Sequence, residues 1–130
     1  MALELPGGVS AVIRIRGEQT GGAFTMLTDS APPGWSLPPH RHGRESETIH
    51  VTAGRLWMTV GAESHDLGPG DTIHVPPGVR HEGGTSGQEP VERVVIFAPA
   101  GMELFFEALA GTSDAQGTLS LATRYGWEFT

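Results

Sequence analysis

The stretch PPHRHGRESETIHVTAG, from Pro38 to Gly54, holds three histidines and two glutamates in a chain that has six histidines altogether. In an extended segment successive side chains alternate, so His40 and His42 point the same way with their Cα atoms about 6.5 to 7 Å apart. Two imidazoles at that separation can converge on one metal ion. Arg41 between them faces the other side. Gly43 is a turn signal, so the chain can reverse and present a carboxylate from a following strand that begins near Glu47. A fourth donor is His81, after the turn VPPGVRH, which reaches the same spot if the sheet curls into a barrel. The chain has no cysteine, so disulfides and thiolate metal sites are excluded and any ion must be held by nitrogen and oxygen.

The elements that must position these residues are short. The 19 glycines and 10 prolines of the 130 residues cluster in PPGW, LPPH, GPGD and PPGV, which marks frequent tight turns and favours an all-β barrel or sandwich. Alternation predicts strands over Val9 to Arg16 and Ala23 to Asp29, joined by the turn-like GEQTGG. Further strands are expected over Ser46 to Ala53, Arg55 to Val60, Ser64 to Leu67, Thr72 to Val75 and Val91 to Ala98. Met102, Phe105, Phe106 and Leu109 recur at the offsets of an amphipathic helix that ends at Gly111 and would cover a barrel mouth or edge. A second short helix is expected between Asp114 and Tyr125, although Gly117 and Thr118 weaken it.

One domain over residues 1 to 130 suits this length. The formal charge of −7, eight arginines without a lysine and no basic run argue against nucleic acid as a partner. The N-terminus has no signal-peptide pattern and no segment approaches a membrane span, so the expected location is the cytoplasm.

Two segments resemble the motifs of the cupin family. GWSLPPHRHGRESETIHVTAG has the first motif's spacing: Gly34, five residues, His40-x-His42, four residues, Glu47, six residues, Gly54. GDTIHVPPGVRH has that of the second: Gly70, five residues, Pro76-x-Gly78, two residues, His81. Fifteen residues separate Gly54 from Gly70, which looks like a compact microbial cupin. The tail PAGMELFFEALAG is similar to small single-domain cupins grouped with quercetin-dioxygenase-like proteins. Where the second motif usually ends in asparagine, this chain has Thr85. The resemblance implies a double-stranded β-helix (jelly-roll) barrel with one or two short C-terminal helices, and His40, His42, Glu47 and His81 as metal ligands. Glu47 is preferred over Glu45 because it sits at ligand spacing and shares parity with Ile49 and Val51, which would face the interior. Glu45 falls in the loop GRES, where a solvated side chain is expected.

Other polar residues carry less. His50 and His74 have the parity opposite to Ile49, Val51, Ile73 and Val75, so they belong on the other face. Ser64, His65 and Asp66 invite a triad reading, but neighbours in a strand point to opposite faces and cannot line up a proton relay. Arg80 beside His81 reads as a solvated loop residue. Trp35 and Trp57, together with Ile49, Val51 and Phe97, are candidates for the lining of an apolar pocket. Met102, Phe105 and Phe106 would close it from the helix, although aromatics in a small barrel are more often core.

Three neutral imidazoles and a carboxylate leave a divalent ion with net positive charge and, in an octahedral ion, two open positions, which suits reaction more than structure. Iron, manganese, nickel, cobalt and zinc all suit this donor set. The resemblance implies a metal-dependent dioxygenase acting on a small aromatic or enol substrate, with Glu47 as the base. An isomerase or lyase of the same architecture, and a non-enzymatic small-molecule binding or sensing module, are the alternatives. Related cupins pair as two-fold dimers, and the strand from Val9 to Arg16, with one apolar face, is expected at the edge of such a homodimer.

Overall fold

Alternation decides the strands. In Val91–Ala98 the residues Val91, Arg93, Val95 and Phe97 turn inward and are buried, while Glu92 between them is exposed. The computed structural model describes residues 1–130. Strands β1 (Leu3–Leu5), β2 (Val9–Ile15), β3 (Thr25–Ala31), β4 (Ser36–His42), β5 (Ser46–Ala53), β6 (Leu56–Val60), β7 (Glu63–Leu67), β8 (Thr72–Val75), β9 (His81–Thr85) and β10 (Val91–Ala98) precede helices α1 (Met102–Ala110) and α2 (Ala115–Arg124) and a last strand, β11 (Trp127–Phe129).

One sheet has the order β1-β2-β3-β10-β5-β8 and the other β11-β4-β9-β6-β7. From β3 to β10 the chain crosses between the sheets at every step except the β6 to β7 hairpin. That winding is a double-stranded β-helix, with α1 and α2 appended, and it leaves two inner faces packed on each other. Leu27, Ile49, Val51, Val95 and Phe97 of the first sheet meet Leu56, Met58 and Leu67 of the second, and Met102 and Phe105 of α1 join the same core. Tight turns allow so short a winding. Gly54 has φ +72°, and a Cβ there would run into the Pro90 carbonyl, so the chain can turn from β5 into β6 only at glycine.

One expectation changes. The strand expected over Val9 to Arg16 forms as β2, but β1 and β3 flank it, so the outermost strands of that sheet are β1 and β8. A three-residue strand such as Leu3–Leu5 is too short for alternation to reveal. The weakly marked second helix does form: Asp114 caps it by accepting from the Gly117 amide, which places the glycine in the first turn where it costs least. No helix is long and apolar enough to cross a membrane.

Candidate metal centre

His40 and His42 project from β4 and His81 from the adjacent β9, with His40 directly opposite His81 in the register. Glu47 comes from β5 in the facing sheet. All three histidines are buried, and one ring nitrogen from each lies within 4.8 Å of the others. Glu47 Oε1 is 3.3 Å from His42 Nε2 and 3.2 Å from His81 Nε2. The four residues that share the motif spacing therefore meet in space.

The rings are oriented by the backbone. His40 Nδ1 lies 2.8 Å from the Pro38 carbonyl and His81 Nδ1 lies 3.0 Å from the Val79 carbonyl, each two residues back. A carbonyl only accepts, so in the neutral ring the proton sits on Nδ1 and Nε2 keeps its lone pair. This is the tautomer and the outer support that metal-ligating histidines use. A lone pair on His81 Nε2 facing a carboxylate oxygen is repulsive unless a cation or a proton lies between them. His42 has no hydrogen-bond partner on either ring nitrogen, despite being buried. Orphaned nitrogens, oriented tautomers and a facing carboxylate together fit a divalent ion.

The electrostatics agree with that fit. Burial depresses the His40 pKa to about 4, so this ring is neutral at ordinary pH. Burial also opposes charge on His81, but the Glu47 carboxylate outweighs it and raises that pKa. Glu47 would be raised by its own burial, yet the adjoining His42 and His81 rings hold it well below the usual carboxylate range. The carboxyl is thus ionised, an anion set against three buried imidazoles.

A cavity of about 550 Å³ opens beside the cluster, and His40, Glu47 and His81 lie in its wall. Of the expected apolar lining, Trp35, Ile49, Phe97, Phe105 and Phe106 face this cavity. Val51, Trp57 and Met102 do not. Val51 and Met102 are sealed in the core at 0 % exposure. Trp57 has the parity opposite to its buried neighbours Leu56 and Met58 and lies against Gly84.

His50 and His74 stand on the outer face, paired across the strands with Thr72 and Thr48 at 2.7 and 2.8 Å. Asp66 pairs with Arg55 and belongs to no triad. Arg80 is exposed and donates to the Thr130 hydroxyl. Thr85, at the asparagine position, is buried, and its hydroxyl lies 3.4 Å from the Ala31 carbonyl, so it still ties the strand end.

Glu45 departs from its expected solvated state. It is 6 % exposed and its Oε1 has no partner. Its loop folds against the C-terminal segment, where Gly43 donates to the Gly126 carbonyl and Glu45 shares a small polar pocket with Arg124 and Tyr125. Sequence reasoning also missed Trp127. On β11 it lies opposite His42, stacks on His40 at 4.6 Å and meets the His42 ring edge-on at 4.6 Å. The third omission is Arg93 with Asp29, a buried ion pair in the cavity wall. Its signal was present in the inward parity of both residues.

A family model described as "Cupin domain" matches residues 29–97, a span that contains the four clustered residues. The chain is 27% identical over 92 residues to quercetin 2,3-dioxygenase of Bacillus subtilis (strain 168), covering 71% of this chain and 27% of that protein. It is 35% identical over 91 residues to germin-like protein 5-1 of Oryza sativa subsp. japonica, covering 65% of this chain and 39% of that one. The chain thus spans well under half the length of these curated relatives. Among solved structures, KdgF from Halomonas sp. superposes with a TM-score of 0.71 at 17% identity, over 80% of this chain and 90% of that one.

Proposed function

Because the chain belongs to the cupin family, we propose that it holds one divalent metal ion through His40, His42, Glu47 and His81 and acts as a dioxygenase on a small aromatic or enol substrate. The observation that carries this reading is the convergence of three buried, tautomer-fixed imidazoles and an ionised carboxylate on the wall of an apolar cavity. The similarity to a quercetin 2,3-dioxygenase supports the reaction class. A bound ion would supply Lewis acidity that lowers the pKa of a substrate hydroxyl, and open positions for substrate and dioxygen.

The chain's own residues do the rest. Glu47 Oε2 has no partner in the protein and is not sealed from the cavity, so it is the free lone pair nearest the histidines and takes the hydroxyl proton. Because His42 and His81 hold Glu47 below its ordinary range, it is a weak base, and transfer depends on a substrate hydroxyl already made acidic. The apolar wall of Ile49, Phe97 and Phe105 offers a flat ring an apolar surface beside the cluster.

Metal analysis of protein purified from its own host, followed by oxygen uptake across a panel of flavonols, catechols and enediols, tests the proposal. One equivalent of a redox-active metal and substrate-dependent oxygen consumption are expected. Substrate conversion without oxygen uptake would point instead to an isomerase or lyase using the same base. Ligand-induced stabilisation without any turnover would point to a binding module.

A further inference from the structure

The three histidines of the centre are not held alike. His40 and His81 each set Nδ1 against a backbone carbonyl, of Pro38 and of Val79. His42 turns Nε2 toward Glu47 at 3.3 Å. Its Nδ1 is buried without a partner, although a ligating histidine ordinarily donates its second N–H to a carboxylate, carbonyl or water. The outer torsion of a histidine side chain is broad, so without that bond only packing can fix the ring. Two aromatic rings supply it. Trp127 stands at 85° to His42 with centroids 4.6 Å apart, and Phe97, from the facing sheet, stands at 86° with centroids 5.7 Å apart. Both arrangements fall in the favourable edge-to-face range.

The same indole lies nearly parallel to His40, at 22° and 4.6 Å. One side chain thus touches two of the three imidazoles. Its place is set by β11, which pairs with β4 so that Trp127 is opposite His42 and Phe129 opposite His40. Phe105 of α1 packs on the indole at 5.2 Å. Trp127 is 7% exposed and its Nε1 makes no hydrogen bond, so what the residue contributes is its ring. That ring offers contact area and a π face, which also favours the positive charge an imidazole gains on binding a cation.

We propose that Trp127 is a positioning residue of the metal centre: by ring packing it replaces the missing outer hydrogen bond of His42 and fixes the face of His40. The ligand set is then complete only while the C-terminal strand is docked on β4. The proposal rests on the metal-site reading above. A linkage follows from it, because a docked β11 that strengthens metal binding must itself be strengthened by the metal to the same extent.

Zinc affinity is measured by chelator competition, and the cobalt(II) absorption spectrum is recorded, in the wild-type chain and in Trp127→Phe, Trp127→Leu and Leu67→Ala. Leu67 is buried on β7 and does not line the cavity, so its variant reports a general loss of packing. Trp127→Leu should bind zinc about tenfold or more weakly, as loss of an outer support does, and shift the cobalt spectrum. Trp127→Phe keeps a ring and loses an N–H that bonds to nothing, so it should stay within about threefold of wild type and keep its spectrum. Leu67→Ala should lower Tm and leave affinity and spectrum unchanged. Wild-type affinity in Trp127→Leu, a Trp127→Phe variant as weak as Trp127→Leu, or an equal loss in Leu67→Ala would each overturn the proposal and leave the metal reading standing. A second measurement needs only the wild-type chain: zinc should slow hydrogen exchange at the β11 amides about tenfold, and more than at β1, the far edge of the other sheet. Zinc that binds but slows β11 no more than β1 overturns the proposal even if the variants do not fold. A wild type that binds neither zinc nor cobalt removes the metal reading itself, and the proposal with it.

Discussion

Replacing Glu103 by alanine should destabilise the barrel without touching the metal centre. Glu103 is in the first turn of α1 and is 3 % exposed. Its Oε2 accepts from the Gly17 amide at 2.6 Å, and its Oε1 accepts from the Gly101 amide at 2.9 Å and from the Thr25 hydroxyl. One carboxylate therefore ties the start of α1 to the turn after β2 and the start of β3, and α1 carries Phe105 and Phe106 in the cavity wall. Each buried donor left without a partner costs about 1–3 kcal/mol, and the three losses overlap because the hydroxyl can turn elsewhere. A total near 3 kcal/mol lowers Tm by about 10 °C in a chain of this length. The effect must also depend on pH. Burial alone would raise the Glu103 carboxyl, but its bonds to Thr25, Gly17 and Gly101 prevail and hold it below the ordinary value. A group with a depressed folded pKa contributes fully above its unfolded pKa, about 4.3, and that contribution is lost as pH falls through the folded value. Thermal unfolding followed by circular dichroism should show the full gap between wild type and Glu103→Ala at neutral pH and a closing gap below about pH 4. A variant within about 2 °C of wild type at neutral pH, or a gap that stays constant into acid, would refute the reasoning.

At the site itself, His42→Ala should remove most of the metal measured by elemental analysis, whereas Glu45→Ala should leave the content unchanged because Glu45 stands outside the cluster. Acidification should release the ion, since a protonated imidazole cannot ligate. The loss should begin with His81, whose pKa is raised, and finish by the time His40 titrates at about 4; metal retained after dialysis below that point would count against these ligands. Gly54→Ala should cost more than about 1 kcal/mol in urea denaturation, because the position combines positive φ with a clash. Gly43→Ala, with open space around its Cβ and no positive φ, should stay within about 0.5 kcal/mol of wild type.

What the sequence made legible follows from alternation over long strands. His40, His42 and Glu47 were readable because β4 and β5 are seven and eight residues long, enough for parity to fix which side chains point inward. Trp127 was not, because β11 has three residues and its place against β4 is set by the path of the chain through α2. Glu45 was misread for a related reason. Loop residues have no parity, and its burial comes from a C-terminal segment some eighty residues away in sequence.

Arg93 and Asp29 are the instructive case, because the same rule that found the histidines applied to them. β10 turns Val91, Arg93, Val95 and Phe97 inward, and β3 turns Leu27, Asp29 and Ala31 to that same side. A charge at an inward position breaks the apolar row, and a barrel tolerates it only where a partner or a ligand answers it. His40, Glu47 and His81 break their rows in the same way and line the same cavity, with His42 behind them. The polar breaks in the inward rows therefore fall into two groups. One converges on an ionised carboxylate beside three imidazoles, and the other is an ion pair that neutralises itself. The second group answers itself, because Asp29 accepts from two Arg93 nitrogens, so of the two only the first leaves buried polar atoms for a ligand or an ion to satisfy.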